Sequence, residues 1–349
     1  MVRCLSFHAS YRCLRSGACC TASWPIPVEA DRLARMRTAL ANGALKGSAP
    51  PGAAMFTFPP DAPTDTPALL GLTGTRCVFF DDQGGHRCRV QDALGHDALP
   101  LACRQFPRVT VRDPRGVSLA LSAYCPTVAR LLDSTGPVTI VESPSAFPNS
   151  GEYEGLDARA QLPPLLRPDC LMDWESWWAF EASSVELLAN SGGSVRDALA
   201  SLRIAVEDGR KWAAHDGPLI TRVADAFARA RHTKWVNGSV GRWVNKERSD
   251  VRITERCREV EEAIPADLRP GASMRSDQPA DGVVRRYLAS HAFANWTIHL
   301  GQGLQTWLRS IEAAHALVLS GLNVREADLR LRHLADPAEL ARVWAQAER

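Results

Sequence analysis

Ten cysteines are the residues of this chain with the clearest capacity for chemistry, and they are unevenly distributed. Eight of them fall within the first 125 of 349 residues. Thiolates are soft anionic donors, and four of them complete a tetrahedral zinc site or hold a [4Fe–4S] cluster. The pattern predicts a zinc or [4Fe–4S] site formed from a set of seven cysteines, namely Cys13, Cys19, Cys20, Cys77, Cys88, Cys103 and Cys125.

Two other uses of these cysteines stay open at this level, disulfide bonding and plain packing. Disulfides suit an oxidising compartment and small domains, and a chain of this length does not need them as staples. Cysteines that only pack would be scattered through the whole core. Metal binding is therefore the preferred interpretation, with Cys170 and Cys257 outside the ligand set. The spacing matches neither the C-x2-C of zinc ribbons nor the ferredoxin run, so the metal is not identified.

Two local sequences can bring thiols together. Gly17 precedes the adjacent pair Cys19-Cys20 and permits a tight backbone turn. The sequence DDQGG between Cys77 and Cys88 predicts a hairpin that returns the second thiol beside the first. Because adjacent side chains diverge, Cys19 and Cys20 are expected to play different roles, one as a ligand and one packed or bridging.

The elements that must carry these residues are predicted to be mainly α-helical with a small β content. We expect a cysteine-rich, metal-binding N-terminal lobe packed on an α-helical C-terminal region. Apolar spacing predicts a helix that ends near Asn42-Gly43, a second within residues 173–193, and a capping box from Ser194 to Asp197. The predicted division is a cysteine lobe at 1–132, a proline-rich connector at 133–168 and a helical domain at 169–349.

Composition excludes several classes of partner. The formal net charge is only +2 and no lysine- or arginine-rich run occurs, so neither nucleic acid nor an anionic membrane is an expected partner. No stretch approaches the roughly 18 uninterrupted apolar residues of a membrane span. The N-terminal residues lack an apolar stretch of signal-peptide length, which predicts a cytoplasmic protein. The tryptophans between 174 and 307 are expected to form the core of a helix bundle.

The order of the cysteine motifs resembles a cysteine-cluster family described as zinc- or iron-chelating, and within it the flagellin lysine-N-methylase branch. The resemblance covers about residues 11–132 and rests on GACC at Cys19-Cys20, the hairpin from Cys77 to Cys88, the stretch from Gly95 to Arg108, and CPTVAR from Cys125 to Arg130. Many members have a further cysteine before the pair, where this chain has LRSGA, with Ser16 as the nearest substitute. Serine is a poorer ligand for a soft metal.

The resemblance implies an iron–sulfur cluster and transfer of a methyl group from S-adenosylmethionine to a lysine of a protein substrate such as flagellin. The residues themselves add no dinucleotide fingerprint and no C-x3-C-x2-C triplet. Three functions therefore stay open: a cluster-containing protein-lysine N-methyltransferase, a non-enzymatic zinc- or iron-chelating module, and a protein with a purely structural zinc. No catalytic residue and no residue that binds S-adenosylmethionine is assigned from the sequence.

Overall fold

The computed structural model describes most of the chain. The described residues are 1–22, 24–47, 54–58, 67–82, 85, 87–232, 279–299, 302–319 and 321–334. Cys257, which the sequence analysis placed outside the ligand set, lies beyond these residues.

Fourteen strands are found in the described residues, most of them short. They are β1 (Val2–Leu5), β2 (Pro27–Val28), β3 (Phe56–Thr57), β4 (Ala68–Leu70), β5 (Leu72–Thr73), β6 (Arg76–Cys77), β7 (Phe80–Asp81), β8 (Arg87–Cys88), β9 (Arg108–Asp113), β10 (Gly116–Leu121), β11 (Ile140–Glu142), β12 (Leu156–Asp157), β13 (Leu165–Arg167) and β14 (Cys170–Leu171).

Ten α-helices occur in the same part of the chain. They are α1 (Ala30–Ala41), α2 (Arg89–Leu94), α3 (Leu101–Gln105), α4 (Pro126–Leu131), α5 (Trp174–Asn190), α6 (Val195–Arg210), α7 (Leu219–His232), α8 (Asp281–Ala292), α9 (Leu304–Leu319) and α10 (Val324–Leu334). None of these helices has the length and apolar character needed to span a membrane.

The fold is mixed α/β, so the prediction of a mainly α protein was wrong. About 49% of the structure is helix and 16% is strand, in several small sheets. The error came from strands hidden inside segments interpreted as a cysteine lobe and a connector. The turn between β9 and β10 is formed by Asp113-Pro114-Arg115-Gly116, whose residues are those preferred in a type I turn. The sequence analysis did not use this evidence for a β-hairpin.

The described chain divides into two compact units that are interleaved in sequence. The first unit comprises 1–11, 109–123 and the chain from 128 onward, and the second comprises 12–108 and 124–127. The sequence analysis had instead divided the chain into three consecutive segments. The second unit, which holds the predicted metal ligands, is thus largely an insertion between β1 and β9.

A five-stranded sheet and the long helices form the first unit. Its strand order is β11-β1-β10-β9-β12. β1 pairs in parallel with β10, with Arg3 opposite Ser118, and antiparallel with β11. The helix predicted within 173–193 is α5, which begins after the Asp173 cap, and the predicted Ser194–Asp197 capping box opens α6. Two of the central helices of this unit, α5 and α8, pack against each other.

Aromatic side chains fill the core between these helices. The Trp307 ring lies 6.0 Å from Trp177 and 5.7 Å from Phe180, and Phe180 lies 5.0 Å from Phe227, each measured between centroids in edge-to-face geometry. Such contacts add to the large apolar area that aromatic residues bury. The described tryptophans between 174 and 307 pack in or against this core, as predicted, while Trp235 and Trp243 lie outside the described residues.

A buried network of charges links the sheet of the first unit to α5. Asp113 accepts hydrogen bonds from the Nη2 of Arg3 at 3.3 Å, the Nη2 of Arg115 at 2.8 Å and the Nε1 of Trp178 at 3.2 Å. Arg115 also pairs with the buried Glu181 at 3.1 Å. Each buried carboxylate therefore has a guanidinium partner, which is the condition under which buried charges are tolerated.

Replacing Asp113 by Asn should destabilise the first unit strongly, because inside the protein Arg3 would lose its carboxylate partner and Arg115 one of its two. We expect the free energy of unfolding to fall by about 3–5 kcal/mol, measured by urea denaturation. The matched control is Asp157→Asn, since Asp157 pairs with Arg159 at 2.6 Å on the surface. Equal stability of the Asp113 variant and this control would contradict the account.

A second buried polar group in this unit is His8. Its side chain is fully enclosed, lies 4.3 Å from the Phe7 ring and has its Nε2 3.5 Å from the Ser290 hydroxyl. Burial lowers the pKa of His8 to about 3. The folded protein therefore keeps this imidazole neutral, whereas the unfolded chain protonates it at the ordinary value near 6.5.

This difference predicts a pH-dependent contribution to stability. Above pH ~6.5 the imidazole is neutral in both states, so its protonation does not affect the free energy of unfolding. As the pH falls from ~6.5 towards ~3, protonation of His8 stabilises the unfolded state by about 1.4 kcal/mol per pH unit. We expect His8→Gln to lose less stability than the wild type between about pH 7 and about pH 4. Urea denaturation of both proteins at the two pH values measures this, and an equal loss in both would refute it.

The second unit has a smaller core and only short strands. Sheet β2-β4-β3 and the hairpins β5–β6 and β7–β8 surround buried apolar residues such as Met36, Val78 and Phe79. Helix α1 lies where it was predicted and ends at Asn42, which is followed by Gly43 with φ +76°. With strands of two or three residues, this unit relies on side-chain contacts more than on backbone pairing.

Candidate metal centre

Four cysteine side chains of the second unit affect one another's ionisation. The pKa of the Cys20 thiol is raised chiefly by its interactions with Cys19, Cys77 and Cys88. Cys103 interacts electrostatically with Cys19, Cys77 and Cys88. We call these five residues the thiol cluster. The structure thus brings together five of the seven predicted ligands, from segments up to 84 residues apart in sequence.

The Cys19-Cys20 pair lies on the tight turn that the sequence predicted. Gly17 has φ +70°, and its carbonyl accepts the N–H of Cys20 at 2.9 Å to form a short 3-10 turn over Ala18–Cys20. The indole N–H of Trp24 donates to the carbonyl of Cys19 at 3.2 Å. This turn places both thiols in one cluster, in which Cys20 interacts with three other thiols and Cys19 is one of the three.

Cys77 and Cys88 are positioned by two successive hairpins. Cys77 ends β6 and pairs with Leu72 of β5, whereas Cys88 ends β8 and pairs with Phe80 of β7. The predicted hairpin between the two cysteines therefore forms over β7–β8. The thiols of Cys77 and Cys88 both interact with that of Cys20.

Hydrogen bonding inside the cluster separates the pKa values of its members. The hydrogen bond from Cys20 lowers the pKa of Cys19, and that of Cys88 to about 7. The N–H groups of Gln91 and Val90 at the start of α2 also lower the pKa of Cys88, although neither makes a cap hydrogen bond of standard geometry. The pKa of Cys20 is raised, because its proton is shared with Cys19, Cys77 and Cys88.

Cys103 lies on α3 beside a carboxylate. Burial is the main cause that raises the pKa of Cys103, followed by the neighbouring thiols and by Glu29. The Oε1 of Glu29 accepts the N–H of Leu101, the first residue of α3, at 2.9 Å. Its Oε2 is buried and has no hydrogen-bond partner in the described structure. The sequence analysis missed Glu29 because an acidic residue before a helix is common.

The other two predicted ligands differ in exposure. Cys13 is exposed, and its sulfur accepts the N–H of Arg15 at 3.4 Å. Cys125 is buried just before α4. Its neighbour Tyr124 donates its hydroxyl to the carbonyl of Thr21 at 3.0 Å, which ties segment 124–127 to the turn of Cys20.

The two described cysteines outside the second unit belong to the fold of the first. Cys4 is buried in β1, and burial raises the pKa of its thiol to about 12. Cys170 starts β14 and donates its thiol to the carbonyl of Leu171 at 3.8 Å. All nine described cysteines are free thiols, so no disulfide bond occurs among them.

The arrangement must be compared with what a metal requires. Among the described residues, no three His, Cys, Asp or Glu side chains are arranged to hold one metal ion, so a preformed metal-binding lobe, as predicted, is not found. The donor chemistry nevertheless suits a metal, because Cys20 interacts with three other thiols and thiolates are ligands of zinc and of iron–sulfur clusters. Metal binding would replace the shared thiol protons, since metals bind thiolates.

Comparison with known proteins adds no relative. No protein-family model, no curated protein and no solved structure matches this chain. The resemblance to cysteine-cluster proteins therefore stays a prediction from the motifs.

The central role of Cys20 predicts a change in the reactivity of Cys88. Cys20→Ala removes the hydrogen bond that stabilises the Cys88 thiolate, so the pKa of Cys88 should rise from about 7 towards about 8.5, the ordinary thiol value. The pH dependence of Cys88 alkylation by iodoacetamide, followed by peptide mass spectrometry on reduced, chelator-treated protein, measures this shift. Cys13→Ala is the control and should leave the Cys88 profile unchanged. An unshifted profile in Cys20→Ala would contradict the hydrogen-bonded cluster.

Proposed function

We propose that this protein binds a transition metal through the thiol cluster of its second unit, and that the metal is zinc. The observation that supports this most directly is the contact of the Cys20 thiol with three other thiols. Buried thiols gathered from separate segments gain little by hydrogen bonding to one another, because S–H is a weak donor and sulfur a weak acceptor. Binding of a metal ion would stabilise such a group of thiols, because ligand binding is coupled to folding.

A single zinc ion is the simpler metal to place among these thiols. Four sulfurs around zinc, at about 2.3 Å from the metal, lie about 3.8 Å from one another, so one ion can join thiols that are grouped around Cys20. A [4Fe–4S] cluster needs its four thiolates spread around an inorganic core, so that Cys19, Cys77 and Cys88 would have to move away from Cys20. Zinc requires the smaller rearrangement.

A bound zinc would supply structural cross-links or Lewis acidity, according to whether a coordination position stays open. The second unit has strands of two or three residues and a modest core, so joining the Ala18–Cys20 turn to β6 and β8 would stabilise it. The hypothesis that the protein methylates lysine with S-adenosylmethionine, with flagellin as substrate, rests on the motif resemblance alone. It would be tested after metal binding.

Metal content and colour test this proposal first. Protein purified without oxygen should contain about one zinc per chain and show no visible absorption. About four iron and four sulfide with a brown colour would replace zinc by an iron–sulfur cluster and justify a lysine-methylation assay. Absence of any bound metal would refute the proposal.

Variants assign the metal to the cluster. Cys77→Ser and Cys88→Ser should each reduce the zinc content to near zero and lower the thermal stability of the protein, because ligand binding and folding are coupled. Cys170→Ser is the matched control, since Cys170 is a half-buried cysteine of the first unit. Full zinc content in a Cys77→Ser, Cys88→Ser double variant would show that the metal is bound elsewhere.

A further inference from the structure

A pocket in the first unit lies beside the charge network of Asp113. Its volume is about 260 Å³, including the part that is open to solvent. Small-molecule sites are concave, mainly apolar and lined by a few polar groups that converge on the ligand. This pocket combines two tryptophan rings, Trp174 and Trp177, with polar side chains, and every residue that lines it belongs to the first unit. It is therefore separate from the thiol cluster.

The carboxylate oxygens that line the pocket are already occupied. Both oxygens of Asp113 accept hydrogen bonds from arginine, and Oδ2 also accepts the indole N–H of Trp178. Glu181 accepts the backbone N–H of Ala294 at 3.0 Å through Oε1 and the Nη2 of Arg115 at 3.1 Å through Oε2. These carboxylates therefore hold the arginines in place instead of facing the pocket as free acceptors.

Several hydrogen-bond donors of the same lining have no acceptor within the part of the chain that the structure describes. Arg115 uses Nε and Nη2 for its two carboxylates, which leaves both protons of Nη1. The Ser118 hydroxyl accepts the Nη2 of Arg3 at 3.0 Å and keeps its own proton to donate. The indole N–H of the buried Trp177 and the imidazole of His299 also remain. The complement of such a lining is a hydrogen-bond acceptor.

The charges around the pocket allow that acceptor to be an anion. Arg3 and Arg115 stand against two carboxyl groups, those of Asp113 and Glu181. Burial raises the pKa of Glu181, so this carboxyl group takes up a proton more readily than an exposed one. Burial lowers the pKa of His299, so its imidazole is neutral at pH 7. With Glu181 protonated, the two arginines exceed the one remaining carboxylate, and a monoanion restores neutrality.

Aromatic contacts and one unusual backbone conformation fix the shape of the pocket. The Trp174 ring lies 6.2 Å from Trp178 and 6.2 Å from His299 between centroids, and the Arg115 guanidinium lies 4.5 Å from the Trp178 ring. Ala294 has φ +53°, a conformation that a non-glycine residue keeps only where the surrounding structure holds it. The donors are thus positioned before a ligand arrives, which lowers the entropic cost of binding.

We propose that this pocket is a second binding site of the protein, and that its ligand is a small molecule with a carboxylate group. Arg115 binds the carboxylate through Nη1, in the charge-assisted pairing to which a guanidinium is suited. Ser118, Trp177 and His299 donate the further hydrogen bonds. The volume admits a few heavy atoms, and the half-buried Trp174 offers a flat apolar surface to the rest of the ligand. This site does not depend on the metal proposed for the second unit.

Sodium acetate is the probe for this site, because it is little more than the carboxylate group itself. Its dissociation constant is measured by saturation-transfer NMR titration at constant ionic strength, and we expect a value in the millimolar range, as suits so few atoms. Acetamide, which is neutral and of the same size, should bind about tenfold more weakly, since hydrogen bonds to charged groups are stronger. Absence of acetate binding, equal binding of acetamide, or displacement of acetate by equimolar chloride would each overturn the proposal.

A histidine variant assigns the acetate to the pocket. His299→Phe keeps an aromatic ring beside Trp174 and removes the N–H donor, so the dissociation constant of acetate should rise about tenfold. His215→Phe is the matched control, because the His215 side chain is 84% exposed and lies outside the pocket, and it should leave the constant unchanged. An unchanged constant in the His299 variant, or an equal rise in both variants, would overturn the assignment. The comparison of acetate with acetamide on the wild type decides the proposal even if His299→Phe does not fold.

Discussion

The number of negative charges that a buried group of thiols can carry is the constraint on which the second unit depends. Cys20 meets that constraint by sharing its proton with Cys19, Cys77 and Cys88, which raises its own pKa and lowers those of Cys19 and Cys88. The cluster thus distributes protons unequally among equivalent side chains. A metal ion relieves the same constraint more completely, because it compensates several thiolates at once.

Short local structures satisfy this constraint without a large scaffold. The left-handed Gly17 sets the turn of Cys19 and Cys20, the β7–β8 hairpin returns Cys88, and α2 begins immediately after that cysteine. Each device is local in sequence, and only the contact with Cys20 joins them. The pairing of strands contributes little here, since no strand wholly within the second unit exceeds three residues. The thiols therefore carry a larger share of the tertiary organisation than in a unit with a full core.

Sequence reasoning succeeded where the signal was local. The turn at Gly17, the hairpin before Cys88, the helix that ends at Asn42 and the capping box of Ser194 all depend on residues within a few positions of one another. The parallel pairing of β1 with β10 joins Arg3 to Ser118 and left no local trace, so the sheet was missed. The grouping of Cys103 with Cys19, Cys77 and Cys88 likewise depends on tertiary structure.

The two units differ in how their acidic groups are partnered. In the first unit Asp113 and Glu181 are buried, and Arg115 pairs with both of them. Each of these two carboxylates therefore has a guanidinium partner within the protein. In the second unit the charges that act most on Cys103 are all anionic, and Glu29 keeps an oxygen without a partner. The second unit has no such pairing for the groups that act on Cys103, and the metal ion proposed for the thiol cluster would balance their charge.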